Sequence, residues 1–290
     1  MFNLKELYKA TTTLVKYYGT PEEQLRQQAD SNGLERLTAI QVCYRELRLL
    51  GGFKMLNRMR ETSESRDILW GRKFNDLDYV ENVTLKKLSD VKWLQSLPPN
   101  TLGAHLGHLF KNFSVEELYE KRYTEDEQRR EMAAEIIGVT GNAYDEMRVN
   151  MSRLFFLMHD INHILFRYDT SSMGESAIQG VTKQLINFWP QQYVGLCIAT
   201  RMALHLKSLK PYGVYWEAEK LGKRAYKKGY FAVNPVDLLE MDVQEIREKY
   251  DIGVPVKYKA FCNEFHSEVK LDNIHPKYDD VEWDTTEYTI

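Results

Sequence analysis

Helix breakers are scarce in this chain of 290 residues, which holds 8 prolines and 16 glycines. Between them, apolar side chains recur at the spacing of a helix with one buried face. Leu4, Leu7, Tyr8, Thr11, Leu14, Val15 and Tyr18 form one such stripe, and Leu34, Leu37, Gln41, Tyr44 and Leu47 another, stopped by Gly51-Gly52. Start signals recur as well. Thr20-Pro21-Glu22-Glu23 and Ser114-Val115-Glu116-Glu117 are capping boxes, and Asn234-Pro235-Val236-Asp237 is a cap followed by a proline. Further helical patterns lie near 77–95, 101–112, 125–137, 142–166, 173–188, 191–208 and 213–229. The expected fold is all-α, a single-domain multi-helix bundle over residues 1–254. From Pro255 the periodicity fades, and Tyr278 to Ile290 carries five acidic residues and no basic one. Residues 255–290 are therefore expected to be an irregular acidic C-terminal extension, an arm that trails into solvent or wraps a second copy in a homo-oligomer.

Composition narrows the function classes. Aromatic residues make up 12% of the chain and apolar residues 43%, which excludes disorder as the dominant state. Lys plus Arg number 39 against 42 Asp plus Glu, a net charge of −3 that argues against a nucleic-acid partner. Cys43, Cys197 and Cys262 are too few and too scattered for a disulfide framework, and read as reduced thiols of a cytoplasm-like compartment. Residues Met1 to Gly19 lack the architecture of a signal peptide. The most apolar long stretch, Leu185 to Leu204, is interrupted by Pro190, Gln191, Gln192 and Arg201. A charge near the centre of a spanning helix costs about 2.5 kcal/mol or more, so no transmembrane helix is expected there.

The strongest chemical signal is His159-Asp160-Ile161-Asn162-His163, set between Leu154-Phe155-Phe156-Leu157-Met158 and Ile164-Leu165-Phe166. Histidines four apart leave the same face of a helix one turn from each other, so two ring nitrogens can converge on one ion. Asp160 lies about 100° around the helix from His159, at the edge of such a site, as a ligand or as the partner of an imidazole. Burying these groups in an apolar helix is costly unless something satisfies them; a satisfied histidine pair without metal is the plainer alternative. Glu175 is the candidate third ligand. It follows His163 by twelve positions across the turn-like Asp169-Thr170-Ser171-Ser172-Met173-Gly174, although Ser172-Met173-Gly174-Glu175 is itself a capping box that would occupy the carboxylate.

His159-Asp160-x-x-His163, eleven residues, then Glu175 resembles the signature of the coenzyme Q (ubiquinone) biosynthesis protein four family. Leu97-Pro98-Pro99-Asn100-Thr101-Leu102-Gly103 is similar to that family's segment upstream of the metal motif. Gly222-Lys223-Arg224-Ala225, Asp237-Leu238-Leu239 and Glu245 to Gly253 are similar to its C-terminal helices. The resemblance covers about residues 50–254 and implies an all-helical protein with a divalent metal, zinc in the family, held by His159, Asp160, His163 and Glu175. It also implies membrane association, contact with other quinone-biosynthesis enzymes, and removal of the carboxyl group from ring carbon one of a polyprenylated hydroxybenzoate, there coupled to hydroxylation. Departures from the pattern are the apolar run Leu154 to Met158, where the family has Arg and Tyr, and Ala104-His105-Leu106-Gly107-His108, where it has aromatics.

The chemistry is coherent on the residues alone. Two histidines and a carboxylate with open positions can act as a Lewis-acid site, and the same set holds iron in non-haem oxygenases, so iron stands beside zinc. A non-catalytic prenyl-lipid carrier or scaffold with a structural metal is the competing reading; a zincin-type hydrolase with Asp160 as base ranks below it. His105 and His108 are extra ligands or ordinary surface histidines. Lys220, Lys223, Arg224, Lys227 and Lys228 are a solvated helix end or a contact with anionic head groups. The expected placement is cytoplasmic and peripheral to a membrane, with an isoprenoid lipid as ligand.

Overall fold

The computed structural model describes residues 4–17, 43, 86–110, 157–186 and 189–265. In chain order its helices are α1 (Leu4–Tyr17), α2 (Lys86–Ser89), α3 (Val91–Ser96), α4 (Leu102–Leu109), α5 (157–166), α6 (Ser172–Ile186), α7 (Trp189–Leu206), α8 (Lys210–Lys227), α9 (Val243–Lys249) and α10 (Val256–Glu264). Single 3-10 turns occupy Tyr230–Ala232 and Pro235–Leu238. The described residues contain no β-strand, so the all-α expectation holds. The capping boxes at Thr20 and Ser114, the helix expected over 125–137, that over 34–47 apart from Cys43, and the acidic stretch 278–290 lie outside the described residues.

One domain was expected over 1–254; chain contacts sort the residues into two compact units that interleave along the sequence. The first comprises Met1–Gly52, Phe166–Lys223 and Val254–Ile290, the second Phe53–Leu165 and Arg224–Gly253. In the first unit α6 is buried on nearly every side, with Met173, Ala177, Ile178 and Val181 in the core. Small residues let its neighbours approach. The backbone of Gly195 on α7 accepts a hydrogen bond from the Ser176 hydroxyl (2.7 Å), and a Cβ at Gly222 of α8 would press on the Val181 backbone. The Tyr215 hydroxyl donates to Glu219 (3.1 Å), and Gln184 donates to the other oxygen of that carboxylate (3.0 Å). Helix α1 turns Leu7 and Ala10 inward and sets Thr11 2.5 Å from the Tyr193 hydroxyl, while Leu4 and Tyr8 are exposed. The apolar stripe read from the sequence is therefore wider than the face that packs.

At its start the C-terminal expectation needs correction: residues 256–264 form a helix rather than an irregular arm, and residues 266–290 lie outside the described residues. No local cap announces α10. Pro255 has no side chain to offer, and the cap is the Glu217 carboxylate of α8, which accepts from the Lys257 N–H (2.9 and 3.0 Å) and the Tyr258 N–H (3.2 Å). A negative group at a helix N-terminus satisfies orphan donors and suits the dipole, but forty residues of separation hide it from local pattern reading.

In the second unit, Leu97 to Gly103 makes a structured turn. Thr101 caps α4, accepting from the Ala104 N–H (3.3 Å) and donating to the Pro98 carbonyl (2.7 Å). The Leu102 and Gly103 N–H groups donate to the carbonyls of Met241 (3.0 Å) and Leu239 (2.8 Å). A Cβ at Gly103 would collide with Leu97 and the Leu239 carbonyl, which explains the glycine. Asn234 caps the Pro235–Leu238 turn, as its cap-then-proline pattern led one to expect, although the turn is 3-10 rather than α. Asp242 caps α9 through the Gln244 and Glu245 N–H groups. No helix among the described residues is long and apolar enough to cross a membrane.

Candidate metal centre

Helix α5 carries the histidine pair. The flanking Leu157, Ile161, Leu165 and Phe166 are buried and dictate which way the helix faces. His163 is 1% exposed, whereas His159 and Asp160 are half-buried at the same turn. The four-residue spacing does what helical geometry requires: the two Nε2 atoms are 3.1 Å apart, with the rings edge to face at 4.8 Å. Beyond the pair, Asn162 accepts a hydrogen bond from the buried Tyr230 hydroxyl (2.8 Å), and burial pushes the Tyr230 pKa up, keeping it a donor. The last carbonyls of α5 are held by Arg247, which donates to Ile164 (3.1 Å) and Leu165 (3.2 Å). A cation there also suits the negative end of the helix dipole.

The chain leaves α5 through Arg167, whose backbone is left-handed (φ 57°), and enters α6 one residue earlier than the sequence suggested. The cap of α6 is Ser171, not Ser172: its Oγ accepts from the Gly174 N–H (3.2 Å), and its carbonyl accepts from the Glu175 N–H (2.8 Å). This shift moves Glu175 out of the third helical position, the one from which a capping-box carboxylate reaches back. The Glu175 side chain is buried. Asp160 is half-buried on the neighbouring face of α5.

The donor set suits a divalent ion. Two imidazole nitrogens at a zinc-like bond length of about 2.0–2.1 Å lie roughly 3.3 Å apart in a tetrahedral site and about 2.9 Å apart at a right angle. The observed 3.1 Å falls between these values.

His105 is half-buried and His108 exposed on α4. Lys220, Lys223, Arg224, Lys227 and Lys228 are exposed; Arg224 pairs with Asp251, which lowers the Asp251 carboxyl pKa through the hydrogen bonds it accepts. Sequence reading missed Arg247, Tyr230, Asp169 and Tyr258, all of which act on residues about 70 to 90 positions away. Signals existed for Arg247, as part of the Glu245 to Gly253 stretch, and for Asp169, in the turn-like run before Glu175.

The described residues define an all-helical protein in which one helix pairs His159 with the buried His163. A protein from Nostoc punctiforme PCC 73102 provisionally assigned to ubiquinone biosynthesis, known from its crystal structure, shares this fold. It is 13% identical, with a TM-score of 0.51 over 87% of this chain and 100% of that one. No family model matches the chain. No curated protein matches it either.

Proposed function

We propose that this chain binds one divalent metal, zinc or iron, through His159, His163 and Glu175, with Asp160 at the rim, and acts in ubiquinone or prenylquinone biosynthesis. The His159–His163 pair carries this reading: with Glu175 as third donor it would leave positions open, as catalytic rather than closed structural sites do. The fold shared with the Nostoc punctiforme protein and the ordered motifs from Leu97 to Gly253 support the pathway assignment. The substrate is a polyprenylated hydroxybenzoate, and the reaction is loss of its carboxyl group at ring carbon one. The carbon–carbon bond breaks, carbon dioxide leaves, and the bonding pair stays on the ring carbon until a proton replaces the lost group.

A bound cation supplies electrostatic stabilisation to charge that builds in the ring. The chain's own residues do the rest. Leu157, Ile161 and Leu165 bury α5 and hold the imidazoles on one face, while the half-buried His159 and Asp160 mark the side from which a substrate carboxylate approaches. Peripheral membrane contact would give access to a prenyl tail and to other quinone-biosynthesis enzymes.

Elemental analysis of protein purified without chelators tests the site. About one metal per chain is expected for wild type and little for His163→Ala; equal metal in both overturns the assignment. Glu175→Gln, which keeps the shape without the charge, is expected to weaken binding at least tenfold. Release of carbon dioxide from a carboxyl-labelled prenylated hydroxybenzoate tests the reaction. Metal binding with neither release nor isoprenoid uptake overturns decarboxylation and the lipid substrate together.

A further inference from the structure

Glu175 is only as well placed as the turn that presents it, and that turn is held by a residue from the far end of the chain. Asp169 bends the backbone by accepting, through one oxygen, the Ser171 N–H at 2.9 Å, an Asx turn that starts α6. The same oxygen accepts the Tyr258 hydroxyl at 2.5 Å, and that hydroxyl also lies 3.4 Å from Ser171 Oγ. Gly174 completes the clamp, since a Cβ there would collide with the Asp169 carbonyl. Tyr258 is buried on α10, its ring edge to face with Tyr168 at 4.9 Å, and α10 is itself anchored by the Glu217 carboxylate at its N-terminus. Burial and the neighbouring Asp169 charge raise the phenol's pKa, so it stays a donor at any ordinary pH.

We propose that Tyr258, through Asp169, is a positioning residue for Glu175, so that the strength and geometry of the metal site are set by α10. This rests on the metal reading above. Tyr258 is not one of the proposed ligands; its effect passes through the Asp169–Ser171–Gly174 turn.

Cobalt(II) titration of the full chain, followed by visible absorption with a competing chelator, tests it. The ligand-field bands report coordination as well as affinity, and loss of overall stability alone does not change the spectrum of the saturated site. Tyr258→Phe keeps the ring against Tyr168 and removes only the hydroxyl. It is expected to weaken cobalt on the order of tenfold, the worth of one hydrogen bond to a carboxylate, and to shift the saturated spectrum towards that of Glu175→Gln. Asp169→Asn keeps an acceptor oxygen and is expected to stay within about threefold of wild type with an unshifted spectrum. Wild-type affinity and spectrum in Tyr258→Phe, or weaker binding with an unshifted spectrum, overturn the proposal. If Tyr258→Phe does not fold, Glu217→Ala loosens α10 from its exposed end and is expected to shift the spectrum the same way; an unshifted spectrum there overturns it. Cobalt bound equally by wild type and His163→Ala overturns the metal reading itself, and this proposal with it.

Discussion

Arg247 offers the sharpest test of how the histidine helix is anchored. Its guanidinium donates to the carbonyls of Ile164 (3.1 Å) and Leu165 (3.2 Å), both in buried residues at the end of α5. Arg247→Ala leaves two carbonyls without these donors and removes a cation from the C-terminal end of the helix. A hydrogen bond from a charged donor contributes about 1.5–3 kcal/mol when buried; the half-buried side chain argues for the lower end, so the pair is worth about 2–3 kcal/mol. For a cooperative unit of about 150 residues each kcal/mol moves Tm by about 2–4 °C, which gives a fall of about 5–10 °C. Arg247→Lys keeps the charge but loses the fork of donors and is expected to recover less than half of it. Differential scanning calorimetry of metal-free protein isolates the effect from the site. A Tm within 1 °C of wild type for Arg247→Ala would refute the anchoring argument.

Two other perturbations follow from the geometry. Gly174→Ala forces a Cβ against the Asp169 carbonyl and is expected to cost about 1–3 kcal/mol in chemical denaturation, with weaker metal binding alongside; a neutral substitution would mean that the turn yields freely. Burial pushes Cys43 and Cys262 up to about 12 and Cys197 to about 11, so all three are neutral thiols at pH 8 and are expected to react with a disulfide reagent only on unfolding. Because these folded values lie above the unfolded ones, their contribution to stability is complete below about pH 8.5 and is lost as pH rises towards 11–12. Fast labelling of the native chain at pH 8 would contradict this.

Much of the helical content was legible because amphipathic period and caps are local properties. The segments 4–17, 172–186, 189–206 and 210–227 fall within three residues of where apolar spacing put them. The expected helix near 77–95 proved less regular: its described part breaks at Asp90, whose side chain starts a new helix by accepting from the Trp93 N–H. The cap of α6 was misplaced by one residue because Ser171 and Ser172 offer the same chemistry. Only the hydrogen bond to the Gly174 N–H tells them apart.

The histidine pair was written in the sequence outright. Four residues of helix bring two imidazoles together whatever the rest of the chain does, and the twelve-residue step to Glu175 offered a candidate third donor. What the sequence left open was whether that carboxylate serves the helix end or the imidazoles, and the turn geometry, with Asp169 and Tyr258 in it, bears on that choice. The helix at 256–264 and the anchoring of α5 by Arg247 were hidden for the same reason. Periodicity and caps act over a few residues and leave a local trace; a carboxylate, phenol or guanidinium arriving from forty to ninety residues away leaves none until the chain has folded.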